Sequence, residues 1–194
     1  MVNKLPVDLE SPIDIKIYEQ IDPTLQTYNK MNFSPNTLTT ISLLFGLSGV
    51  YAAYNDYFMT AGILFFIAYY YDCVDGKYAR KYNQVTKFGD YYDHVADFTK
   101  FGLMFYVLYF KLQSKSVKTK TILISILVIL LILAVLQFGC QEYLYGSGES
   151  PTLAWTKKFV KESKCDKQVS YTKYFSVTTF AIYVCIVLFI WKYI

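Results

Sequence analysis

Residues 69–97 read YYYDCVDGKYARKYNQVTKFGDYYDHVAD. Four carboxylates, Asp72, Asp75, Asp93 and Asp97, stand there among aromatic and aliphatic residues of the kind that enter lipid. The surroundings set the cost of those charges. Of 194 residues, 54% are hydrophobic, and they gather into long uncharged runs instead of periodic stripes. Residues 31–55, 121–139 and 174–191 carry no charge, and roughly 20 apolar residues suffice for a spanning helix. Two further runs are compromised: 57–71 leads into Asp72, and 91–110 contains Asp93, Asp97 and Lys100. Both reach spanning length only if the acids belong to the helices. Backbone in lipid must satisfy its own hydrogen bonds, so the expected fold is an all-α integral membrane bundle of five or six transmembrane helices. Residues 1–33 form a cytosolic or interfacial N-terminal segment, and 34–194 form the transmembrane domain.

Outward from this stretch, the chain is less eventful. The first 30 residues lack the apolar core of a cleavable signal, so the first span is expected to serve as its own anchor. Segment 13–21 suits an amphipathic surface helix, although its alternation fits a strand nearly as well. Cys73, Cys140, Cys165 and Cys185 show no CxxC spacing and read as packed thiols, not disulfides or zinc ligands. Lysines and arginines collect on the side that holds residues 72–90, with Lys4, Lys16 and Lys30 before it and six lysines between 157 and 173 after it. That asymmetry puts the acid-rich side in the cytosol, with the four lysines of 111–120 as a local exception. The net charge of +4 is then explained by topology and anionic lipid, and no nucleic-acid partner is expected.

An acid well inside a bilayer costs about 2.5 to 3.5 kcal/mol on insertion scales, so four of them in one place demand a function. On helices, Asp72 and Asp75 are spaced i, i+3, and Asp93 and Asp97 are spaced i, i+4, so each pair shares a face. The polar stretch between them is long enough to turn the second pair back onto the first. Four anions on facing helices suit a hard divalent ion, Mg2+ or Mn2+, and would otherwise repel one another. Gly76 leaves room for close approach of a ligand, Ala79 is small on the same side, and Arg80 offers a planar fork to phosphate. Gly89 lets the turn close onto the next helix. Asp90 reads as a solvated helix-start residue, and His94 is expected to point away from the Asp93 and Asp97 face.

The order Asp72, Asp75, Gly76, Ala79, Arg80, Gly89, Asp93, Asp97 matches D-x2-D-G-x2-A-R-x8-G-x3-D-x3-D at every fixed position. In this it resembles the CDP-alcohol phosphatidyltransferase family, and the SPNTLTT of Ser34–Thr40 resembles that family's entry to its first span. The resemblance covers roughly residues 30–110. It implies transfer of a substituted phosphoryl group from a CDP-linked donor to an alcohol, with release of CMP, in phospholipid biosynthesis. It also implies two divalent ions, Mg2+ or Mn2+, and a homodimer. Carried over by position, Asp72, Asp75, Asp93 and Asp97 bind metal, and Asp97 doubles as general base. Gly76, Ala79, Arg80, Thr86 and Asn36 contact the CDP moiety. One branch of the family moves phosphatidyl from CDP-diacylglycerol to a small polar alcohol, and the other moves phosphocholine or phosphoethanolamine to diacylglycerol. The motif does not separate them. Rival roles for the acids are a cation-binding channel or a scaffold that keeps the fold, and such a copy should have lost a motif residue; none is lost. The resemblance places the chain in the endoplasmic reticulum or a bacterial-type inner membrane. Because 140–173 is too polar to cross, five spans are convincing where the family core has six.

Overall fold

The computed structural model describes residues 6, 9–144 and 151–194, and every described element is helical. Lys4 and residues 145–150, which entered the charge and topology reading, lie outside them. The order is α1 Pro12–Lys30, α2 Pro35–Tyr54, α3 Phe58–Lys81, α4 Lys87–Leu112, α5 Val117–Leu144, a 3-10 helix Pro151–Phe159, α6 Glu162–Thr172 and α7 Val177–Ile190. A short 3-10 turn, Lys173–Phe175, joins α6 to α7. Segment 13–21 is helical, not a strand.

Three helical stretches, Pro35–Tyr54, Val117–Leu144 and Glu162–Ile190, are long and apolar enough to cross a membrane. The two compromised runs became helices that keep their acids. α3 has 24 residues and α4 has 26, which at 1.5 Å per residue is about 36 and 39 Å against a hydrocarbon core of about 30 Å. Asp72 and Asp75 fall in the last turns of α3, Asp93 and Asp97 in the first turns of α4. The tight connection between them contains Asn83 at φ 54°, a left-handed position that asparagine tolerates.

α2 packs most closely on α3 and next on α4. Lipid tails give no hydrophobic drive between spans, so close packing of small residues holds them together. Gly46, Gly49, Ala52 and Ala53 on α2 are buried, as are Ala61, Gly62 and Ala68 on α3. At Gly49 an added Cβ would lie 3.2 Å from the Ala61 carbonyl oxygen, so the two backbones nearly touch. α5 differs: Ile122, Ile124, Ile129, Leu131 and Ile132 are exposed, as lipid-facing residues should be.

α1 is pinned to α3. Lys77 Nζ reaches Asp22 Oδ2 at 2.9 Å and donates to the Tyr18 carbonyl at 2.8 Å, while Tyr78 donates to the Phe33 carbonyl at 2.8 Å. The polar stretch after α5 folds back on it, where Gly139 admits the backbone of the 3-10 helix; a Cβ there would meet the Thr156 carbonyl at 2.7 Å. Cys140 is joined to Cys165 by a disulfide, with Cα atoms 4.9 Å apart. The expectation of four packed thiols therefore holds for Cys73 and Cys185 alone. The last turns of α5 and the first of α7 line the same cavity, so the polar stretch starts and ends beside it.

Candidate active site

Two helix starts build one wall of the site. Ser34 caps α2, its Oγ accepting from Thr37 N at 3.1 Å, with Pro35 at the first helical position. Thr86 caps α4 in the same way, its Oγ1 accepting from Gly89 N at 2.9 Å. The two caps meet at Gly89, where an added Cβ would sit 3.0 Å from Thr86 Oγ1 and 3.4 Å from Asn36 Oδ1. Glycine is what allows α2 and α4 to begin side by side. Their unsatisfied N–H groups and dipoles favour an anion there.

The opposite wall is the end of α3. Asn36, Asp72, Asp75, Gly76, Ala79, Arg80, Thr86, Asp93 and Asp97, the nine residues named from the motif and its neighbours, all border one cavity of about 320 Å³. Arg80 brings its guanidinium alongside Gly76, 3.4 Å from where a Cβ would stand, and its Nε is buried without a hydrogen-bond partner. A buried donor without a partner costs about 1 to 3 kcal/mol, so it calls for an acceptor from a ligand.

The acids do not all sit alike. One oxygen each from Asp72, Asp93 and Asp97 lie within 4.8 Å of one another. Asp75 is 4% exposed and accepts a hydrogen bond from Thr39 Oγ1 at 2.6 Å, between α2 and α3. Asp93 Oδ1 is buried with no hydrogen-bond partner. Three converging carboxylates, with Asp93 Oδ1 unengaged, fit a hard divalent cation such as Mg2+ or Mn2+.

Several neighbours escaped the sequence. Lys100 Nζ lies 2.7 Å from both Asp72 Oδ1 and Asp97 Oδ1, and donates to Ser42 Oγ at 2.7 Å. The signal was present: Lys100 is i+3 from Asp97, and Thr39, Ser42, Gly46 and Gly49 form a polar and small stripe on an otherwise aliphatic helix. His94 does not point away; it borders the cavity, its Nδ1 2.7 Å from the Asp90 carbonyl oxygen and 3.9 Å from Asp93 Oδ2. Asp90 borders the cavity too and accepts from Thr152 Oγ1 at 2.7 Å, a partner from the 3-10 helix that no spacing announces. On the far side α1 and α7 close the cavity. Tyr69 donates to Thr178 Oγ1 at 2.6 Å, and Thr178 donates to Asp14. Burial raises the Asp14 carboxyl above its ordinary range, and the Thr178 hydrogen bond opposes the shift.

The sequence pattern of CDP-alcohol phosphatidyltransferases matches residues 32–194. The chain is 31% identical over 87 residues to the archaetidylinositol phosphate synthase of Pyrococcus horikoshii, covering 45% of this chain and 46% of that protein. It is 30% identical over 79 residues to an uncharacterized protein of Aquifex aeolicus, covering 41% of this chain and 40% of that protein. The chain thus aligns with less than half the length of each of these curated relatives. No solved structure matches it significantly.

Proposed function

The chain belongs to the CDP-alcohol phosphatidyltransferase family, and on that premise we propose that it transfers a substituted phosphoryl group from a CDP-linked donor to an alcohol, releasing CMP, in phospholipid synthesis. One observation carries the reading: acids from the end of α3 and the start of α4 border the same cavity as two helix N-termini and the unpartnered Arg80 Nε.

The roles follow from placement. Asp72, Asp75, Asp93 and Asp97 would hold two divalent cations, Mg2+ or Mn2+, which when bound neutralise the crowded charge of the pyrophosphate. Arg80 and the α2 and α4 N-termini, with Asn36, Thr86 and the open faces of Gly76 and Ala79, receive the cytidine diphosphate link. Asp97 takes the proton of the acceptor hydroxyl. The acceptor oxygen forms a bond to the distal phosphorus, the bond from that phosphorus to the CMP oxygen breaks, and its electron pair leaves with CMP. No covalent enzyme intermediate is needed.

The first reading within the family is phosphatidyl transfer from CDP-diacylglycerol to a small polar alcohol. The described lining of the cavity carries seven carboxylates and a single arginine or lysine, Arg80. An acceptor with its own phosphate finds no second cation among them, which favours an uncharged or amino alcohol. That keeps transfer of phosphocholine or phosphoethanolamine to diacylglycerol as the second reading. The archaeal relative is named for a phosphorylated inositol lipid, so a phosphorylated acceptor belongs in the assay. Membership also supports a homodimer with the motif side facing the cytosol, in the endoplasmic reticulum or a bacterial-type inner membrane.

The test incubates purified membranes with labelled CDP-diacylglycerol, CDP-choline or CDP-ethanolamine, a panel of acceptors and Mg2+ or Mn2+, and measures CMP. Release that needs both an acceptor and a divalent ion supports the reading. Release unchanged by chelator removes the metal role, and no release from any donor leaves the channel or scaffold reading in its place.

A further inference from the structure

Lys100 follows Asp97 by one turn of α4 and is 1% exposed. Its surroundings are built to receive it. Gly46 on α2 houses the aliphatic stem, since a Cβ there would lie 2.9 Å from Lys100 Cβ and 3.1 Å from its Cδ. Ser42, one turn earlier, accepts from the ammonium and is itself held by donating to the Ala68 carbonyl at 2.8 Å. The ammonium donates a second hydrogen bond to Asp72 Oδ1 and makes an ion pair with Asp97 Oδ1, each at 2.7 Å.

These are two of the three acids whose oxygens converge. A divalent ion such as Mg2+ would draw on the same two carboxylates at about 2.1 Å, and an ammonium held between them stands in its way. One positive charge among three carboxylates still leaves an excess of negative charge that draws a divalent ion, and Asp93 Oδ1 remains unengaged. We infer that Lys100 is a resident counter-cation: it holds Asp72 and Asp97 together in the ion-free protein and competes with a divalent ion for their oxygens. It is a positioning residue, and it sets how tightly the site takes its ion. The inference rests on the metal reading above.

The experiment uses the full chain in detergent and reads two things without turnover. These are Mn2+ affinity, from the EPR signal of free Mn2+, and thermal unfolding with and without Mn2+. Lys100→Met keeps the stem and removes the charge. It is expected to bind Mn2+ roughly tenfold tighter, equivalent to ~1.4 kcal/mol. It should unfold earlier than wild type when no ion is present, with the deficit closing as Mn2+ is added. Ser42→Ala leaves the charge but loosens its seat, so it should tighten Mn2+ in the same direction by less; it decides the matter if Lys100→Met does not fold. Wild-type binding with equal or weaker affinity in the variants overturns the inference and leaves the metal reading standing. No Mn2+ binding by wild type or variants removes the metal reading itself.

Discussion

Lys77 and Lys100 are buried almost equally, at 2% and 1% exposed, and each sits where a helix of the bundle meets another. Their acids differ. Lys77 has one carboxylate, Asp22, a backbone carbonyl and the Tyr18 ring 4.9 Å from its nitrogen, so its charge is matched and its surroundings are closed. Lys100 is shared by Asp72 and Asp97, beside Asp93. Burying charge is costly unless it is paired, and a pair that balances has no use for a ligand. A site with more acids than cations does. The first corner fastens α1 to α3; the second is an incomplete charge constellation bordering a cavity.

The comparison can be broken most sharply at Asp97. Asp97→Asn should lower CMP release by roughly 10²–10⁴-fold, the range for loss of a general base, while thermal unfolding stays close to wild type. Full activity would remove Asp97 from the chemistry. Next in size, Asp22→Ala leaves Lys77 without its carboxylate. Because Asp22 is 26% exposed, the cost should fall somewhat below the 3–5 kcal/mol of a fully buried pair, at about 2 to 3 kcal/mol, with Mn2+ affinity unchanged. A change in Mn2+ affinity would mean that the two lysine corners are coupled. Gly46→Ala places a methyl against the Lys100 stem and should cost about 1 to 2 kcal/mol in unfolding, because the neighbour is a side chain that shifts only partly.

The smallest effect concerns Asp14, whose folded carboxyl is raised by burial. A raised acid contributes its stability below its unfolded pKa and loses it as pH rises through the folded value, because the ionised form is the one that burial disfavours. Unfolding of wild type should therefore become easier as pH rises out of the acid range, and Asp14→Asn should flatten that part of the profile. An unchanged profile would show that Asp14 is as well solvated folded as unfolded.

The candidate site was legible as a constellation because its spacings are helical. Four acids at i, i+3 and i, i+4, separated by a polar turn, imply two facing helices whatever the rest of the chain does. Lys100 and the Thr39, Ser42, Gly46 stripe were readable by the same rule, yet a lysine inside a span reads as an interruption until its partners on another helix are known. His94 was misjudged because helical spacing gives a direction on one helix, not what other elements wrap around it; Thr152 and Asp90 close on its side of the cavity. The Cys140–Cys165 bond had no local signal, since it joins α5 to a helix 25 residues on, across the polar stretch.

What the sequence alone determined was the class of the protein and the identity of its acids. Long uncharged runs have one way to satisfy their backbones in lipid, and carboxylates in their midst are too costly to be incidental. Which of those acids share an ion-sized space, which one is tied to a neighbouring hydroxyl, and which lysine stands among them were decided only by packing. Those relations hold between residues on different helices, and pairwise distances across a bundle depend on how small side chains let the helices approach.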